Sequence, residues 1–219
     1  MTVWLAIVLT GVLVGLVMGS VAVFLAANRR SGLEGQAARR EAVRRELSRI
    51  DETPVARVND GDRVRIKGRA QARGPLRTSP VSQRACICFR LTVEASHGGD
   101  WHRVFEQDEF DSFLLTDDTG QAVLQAPFQL QLDPYDARSE NVPQVVIDLV
   151  KQSGANITLF GSPDTLRYAE TILQPGDEIV AVGRATVEVS AEGRAWARRG
   201  PPVICTLKGD GEPVVLADG

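Results

Sequence analysis

The chain has 219 residues, a net charge of −3 and only three cysteines, Cys86, Cys88 and Cys205. That length accommodates one domain with a sizeable core plus appendages, and the charge balance gives no overall pull toward nucleic acid. The cysteines are too few for a disulfide framework and fit a reducing compartment. Even with His97 and His102 they fall short of the about eight Cys/His ligands that a two-zinc RING module needs.

From Val3 to Ala27 no side chain is charged, and Asn28, Arg29 and Arg30 follow at once. At about 1.5 Å per residue the run makes a helix of roughly 37 Å, enough to cross a hydrocarbon core of about 30 Å with some tilt. A cleaved secretory leader fits less well. Only Met1 and Thr2 precede the run, and cleavage after Ala27 would put Leu25 at the −3 position. The expectation is therefore a retained transmembrane helix within residues 1–28. Arg29, Arg30, Arg39, Arg40, Arg44, Arg45 and Arg49 all lie on its C-terminal side, which the positive-inside rule assigns to the cytoplasm. The chain then reads as a single-pass protein of the cell membrane, with the short N-terminus outside and the C-terminal domain cytoplasmic. Gly11, Gly15 and Gly19 recur every four residues and put a small-residue groove on one helix face, a candidate surface for self-association.

Residues 29–54 read as a basic helical stalk. Ser31 and Glu34 have capping-box spacing, Leu33, Ala37, Val43, Leu47 and Ile50 give a thin apolar stripe, and Asp51 to Pro54 ends the helix. Beyond it, residues 55–219 change to a period of two. Val64, Ile66, Gly68 and Ala70 alternate with Arg63, Arg65, Lys67 and Arg69, which predicts a half-buried strand. A second strand runs from Ala85 to Glu94, with Cys86 and Cys88 on one face, then a turn at His97 to Asp100 and a third strand over Trp101 to Phe105. Phe113 to Thr116 and Ala122 to Gln125 flank a hairpin turn at Asp117 to Gly120, with positive φ expected at Gly120. Residues 126–141 read as irregular. Pro143 starts a short helix that Gly154 ends, with Val146, Leu149 and Val150 on its apolar face. Further strands are expected at Tyr168 to Leu173, Ile179 to Val189, Arg194 to Arg198, 203–207 and 213–216, with a Pro175-Gly176-Asp177 turn and a hairpin at Glu192-Gly193.

About eight short strands and one internal helix fit a mainly β domain, a small barrel resembling the oligonucleotide/oligosaccharide-binding (OB) type. A more specific similarity rests on Gly68-Arg69-Ala70, Gly74 to Pro80, Cys86, Phe113 to Gly120, Tyr168 to Asp177, Gly183 and Gly200 to Ile204. Together these resemble the GIDE domain, the membrane-adjacent domain of mitochondrial E3 ubiquitin ligases and of prokaryotic relatives. The resemblance covers about residues 55–210 and implies a membrane-proximal sensing or partner-binding domain. The ligases flank that domain with two membrane helices and add a RING. This sequence has one apolar run and too few ligands for a RING, so ligase catalysis is not expected of it, only an accessory role by resemblance.

No enzyme signature stands out. Cys86 and Cys88 with His97 or His102 lack zinc-knuckle spacing, Asp117 and Asp118 are explained by a turn, and no phosphate loop of the Lys-Ser/Thr type is present, so no cofactor or metal is expected. Charges from Arg63 to Arg90 are nearly all positive and those from Glu94 to Asp118 nearly all negative. Either the two sets pair across a sheet, or Arg69, Arg73, Arg77 and Arg84 form a basic binding surface for headgroups or an acidic protein partner. Nucleic acid is disfavoured as a partner because stacking aromatics are not interleaved with the arginines, and a tethered barrel binding nucleic acid or another polyanion is the rival reading. The expectation is a non-enzymatic binding or scaffold module whose partners are the lipid bilayer, a protein and, through the membrane helix, a second copy of itself.

Overall fold

The computed structural model describes residues 33–97, 100–154, 166–187, 203–209 and 213–219. The apolar run with Gly11, Gly15 and Gly19, the two Gly residues of the 97–100 turn and the Glu192-Gly193 hairpin lie outside them. Among the described residues no helix is long and apolar enough to cross a membrane.

Five strands close a barrel. β1 (Arg63–Ala72) pairs with β6 (Phe113–Thr116), β6 with β7 (Gln121–Leu124), β7 with β12 (Val203–Lys208), β12 with β11 (Glu178–Thr186), and β11 again with β1. All these pairs are antiparallel except β7 with β12. Alternation supplies the interior: Val64, Ile66 and Ala70 meet Phe113, Leu115, Leu124, Ile179, Ala181 and Leu207 in one core. β1 serves two neighbours, β11 over Arg63 to Arg69 and β6 over Arg69 to Ala72. The switch needs Gly68, because a Cβ there would lie 2.6 Å from the Thr116 carbonyl oxygen. β13 (Val214–Asp218) extends the sheet antiparallel to β11, and β8 (Phe128–Gln131) runs parallel to β13.

The excursion between β1 and β6 carries β2 (Arg77–Thr78), β3 (Ala85–Cys86), β4 (Cys88–His97) and β5 (Asp100–Glu109). The excursion between β7 and β11 carries β8, β9 (Asp136–Arg138), a helix over Gln144–Gln152 and β10 (Leu166–Leu173). Together these make a second, antiparallel sheet in the order β5-β4-β10-β9. The 144–152 helix starts directly after Pro143 and stops at Gly154, whose φ is +78°. Its Val146 and Val150 pack on Leu91, Val93 and Tyr168, the apolar face of this second sheet.

The structure differs from the sequence expectations at four points. Residues 126–141 are not irregular throughout, since β8 and β9 lie there. The described residues hold thirteen strands rather than about eight. Gly120 has no positive φ. Its turn is held instead by the Asp117 carboxylate, which accepts hydrogen bonds from the Thr119 and Gly120 amides at 2.7 and 2.8 Å. Finally, Cys86 and Cys88 do not share a face. The chain bends at Ile87, so Cys86 joins Phe89 and Ile172 while Cys88 joins the barrel core.

Within the 29–54 segment a helix is seen over Leu33–Leu47, named α1, and it lies against the domain. Val43, Leu47 and Ile50 cover Val180, Val182, Val215 and Ala217 on the outer face of β11 and β13. Arg44 bridges Asp133 and Asp218, and Arg40 reaches Asp133 at 3.5 Å. The 144–152 helix is hereafter α2.

Candidate functional site

In β4 the alternation Phe89, Leu91, Val93 against Arg90, Thr92, Glu94 gives the second sheet one apolar and one polar face. Registration extends the polar face across its neighbours. Arg90, Thr92 and Glu94 lie opposite Asp108, Glu106 and Arg103 of β5 and Thr171, Ala169 and Arg167 of β10. A bulge between Val93 and Glu94 shifts the β5 register by one residue. That shift brings Arg103 and Glu106, three apart, onto one face, where they form an ion pair.

This polar face is not bathed in solvent. Glu94 is 0% exposed, Thr92 2% and Arg167 8%. Burying charge is costly unless it is paired and hydrogen-bonded. Glu94 meets both conditions: Arg167 donates to its Oε2 from Nε and Nη2, each at 2.7 Å, and the Leu33 amide donates to its Oε1 at 2.8 Å. The Arg167 guanidinium also lies over the Trp101 ring, 4.2 Å from its centroid. The first turn of α1 is thus tied to the middle of the sheet by a buried carboxylate.

Beside this tie, a cleft of about 210 Å³ opens between α1, β8 and the polar face. Gln36, Arg39 and Arg40 line it from the helix, and Arg90, Arg103, Glu106 and Thr171 from the sheet. Asp108 fixes Arg90 by accepting from Nε at 2.8 Å and from Nη2 at 2.7 Å, a fork that raises its pKa. Arg39 is exposed and makes no ion pair among the described residues.

The arginines singled out from the sequence are distributed elsewhere. Arg77 pairs with Glu109 and Asp111, and the Arg84 guanidinium sits 4.8 Å from the Tyr135 ring centroid. Arg69 lines a cleft with Lys67, Asp117 and Glu178, whereas Arg73 lines a different one with Gly74, Pro75 and Asp111. Pairing of the basic and acidic sets across strands is seen at Arg90–Asp108 and at Arg77–Glu109. The clustering of Arg39 and Arg40 with Arg90 and Arg103 is not visible in the sequence. The stalk arginines were visible as a run, but the bulge that aims Arg103 has no local signature.

The cysteines are placed for packing. Burial pushes the Cys86 thiol up to about 11 and the Cys88 thiol to about 12, with a further push on Cys86 from the Glu170 charge and on Cys88 from Cys86. Burial likewise takes Cys205 to about 11. His102 faces Ala95 in the register, seven residues along β4 from Cys88, or roughly 23 Å at strand rise. Among the described residues no group of His, Cys, Asp and Glu is arranged to hold a metal ion.

Asp117, a turn residue in the sequence reading, acquires a wider part. Burial opposes its charge, but hydrogen bonds from the Val55, Thr119 and Gly120 amides and the Thr119 hydroxyl outweigh that and lower its pKa. The bond from Val55 pins the start of the domain to the β6–β7 hairpin.

No protein-family model, no curated protein and no solved structure matches the chain.

Proposed function

We propose that the protein is a single-pass, membrane-tethered binding module, with an OB-like barrel in the cytoplasm that engages a protein partner or the membrane surface. The observation that carries this reading is the docked stalk. The helix that leads away from the apolar run Val3 to Ala27 is bound to the domain through Leu47, Arg44 and the Leu33–Glu94 hydrogen bond. The helix that follows the apolar run in the chain is thus held as part of the domain. The strand order β1-β6-β7-β12-β11, closing on β1 with one parallel pair, supports the OB-like reading. The buried thiols with raised pKa values favour a binding role over thiol chemistry. The GIDE resemblance of residues 55–210 belongs to this proposal and adds membrane proximity to it, with a supporting role beside a ubiquitin-like transfer system as its furthest extension.

The test is crosslinking in intact membranes followed by mass spectrometry. A recurrent partner crosslinked to the barrel or the stalk is the expected result. Recovery of the chain alone, or crosslinks only to itself, would leave a structural homo-oligomer as the better account.

A further inference from the structure

We infer that the arginine cleft beneath α1 binds a small phosphate-bearing anion, clamped between the stalk helix and the polar face of the second sheet. This goes beyond the tethered-module reading and stands whether or not the chain is anchored in a bilayer.

Three observations carry it. First, arginines line the cleft from two separate elements, Arg39 and Arg40 of the helix and Arg90 and Arg103 of the sheet, with Glu106 beside them. A tetrahedral anion with several oxygens can accept from both elements at once, whereas a single carboxylate is satisfied by one fork. Second, the sheet arginines are pre-aimed. Asp108 takes two of the five N–H donors of Arg90 and leaves three, and Glu106 holds Arg103 on the same face through the bulge. Fixing these rotamers beforehand lowers the ordering cost of binding. Third, among the described residues the ion pairs of Arg40, Arg90 and Arg103 run to Asp133, Asp108 and Glu106, and Arg39 is exposed without an ion pair among those residues.

Size narrows the ligand. About 210 Å³ lies below the roughly 300–1,000 Å³ typical of drug-sized ligands. The cleft therefore takes a phosphate or diphosphate group rather than a nucleic-acid strand. Its source is either a soluble phosphate compound or the headgroup of a phosphate-monoester lipid, since Leu33 follows the membrane-flanking Arg30 by three residues.

The test is calorimetric titration of inorganic pyrophosphate into the full chain held in phosphatidylcholine nanodiscs. Saturable binding at one per chain is expected, weakened about tenfold or more by Arg39→Gln and by Arg90→Gln and unchanged by Arg57→Gln, an exposed residue outside the cleft. Should the Arg90 variant fail to fold, the exposed Arg39 decides. If pyrophosphate binding is lost when the nanodiscs contain phosphatidic acid, the headgroup is the occupant; if it persists there, the ligand is soluble. No saturable binding, or binding indifferent to both cleft variants, would overturn the inference. A chain that does not incorporate into nanodiscs refutes the tether instead, and the same titration in buffer still decides the cleft.

Discussion

Arg167 and Glu94 face each other across β10 and β4 and form a buried pair, two 2.7 Å hydrogen bonds converging on one carboxylate oxygen. The other oxygen receives the Leu33 amide of α1, so one side chain joins the stalk to the sheet. Its placement makes the stalk part of the domain's energetics.

Glu94→Ala removes that junction and leaves the Arg167 charge buried without it. Breaking a buried pair from one side costs roughly 3–5 kcal/mol. A large fall in the unfolding midpoint is expected in denaturant titrations followed by circular dichroism, together with faster trypsin cleavage within α1. A variant with an unchanged midpoint would mean that Arg167 is satisfied without Glu94.

Leu47→Ala acts on the other end of the stalk. Leu47 is nearly fully buried against Val180, Val182 and Ala217, and a truncation of this kind costs about 2 kcal/mol or more. The loss falls on docking rather than on the barrel core. Limited trypsin digestion should then cut at Arg39 to Arg45 several-fold faster, while the barrel unfolds at nearly the original denaturant concentration.

Gly68→Ala tests barrel closure. The added methyl would meet the Thr116 carbonyl at 2.6 Å, a backbone atom with no freedom to swing aside. Overpacking of this sort costs about 1–3 kcal/mol. The expected readout is a lower thermal midpoint, whereas an equivalent change at Gly74, which has open space around it, should be close to neutral.

Alkaline pH should weaken the fold through its thiols. Cys86, Cys88 and Cys205 have folded-state pKa values of about 11, about 12 and about 11, against an ordinary 9.0. Between those values the unfolded chain releases thiol protons that the folded one retains. Stability is therefore fully present below about pH 9 and declines as pH rises toward the folded values. Tyr168, pushed up by burial and by its bond to Asp136, adds to the decline in the same direction. Denaturant midpoints measured at about pH 7 and about pH 10 should differ accordingly. Combining Cys86→Ala, Cys88→Ala and Cys205→Ala should reduce the difference, and an unaltered slope would show that the thiols do not contribute.

The legible parts of the fold were those set by local chemistry. Val64, Ile66 and Ala70 announce a strand by alternation, Pro143 and Gly154 bound α2, and Gly176, with φ +94°, makes the turn its sequence demands. What was not legible depends on distant partners. β8 is ordered by parallel pairing with β13, more than eighty residues away, so Phe128 to Gln131 carries no hairpin signal of its own. The polar face of β4 reads as solvent-facing because its cover comes from α1 and from Trp101 in β5. The cleft arginines belong to three separate segments, which only the register of β4 on β5 and the docking of α1 bring together.

Protease protection in sealed, right-side-out vesicles tests the central claim most directly. With a retained helix and a cytoplasmic barrel, trypsin added outside should leave residues 33–219 intact until detergent opens the membrane. Digestion of the domain in sealed vesicles, or its recovery in the soluble fraction, would contradict the account.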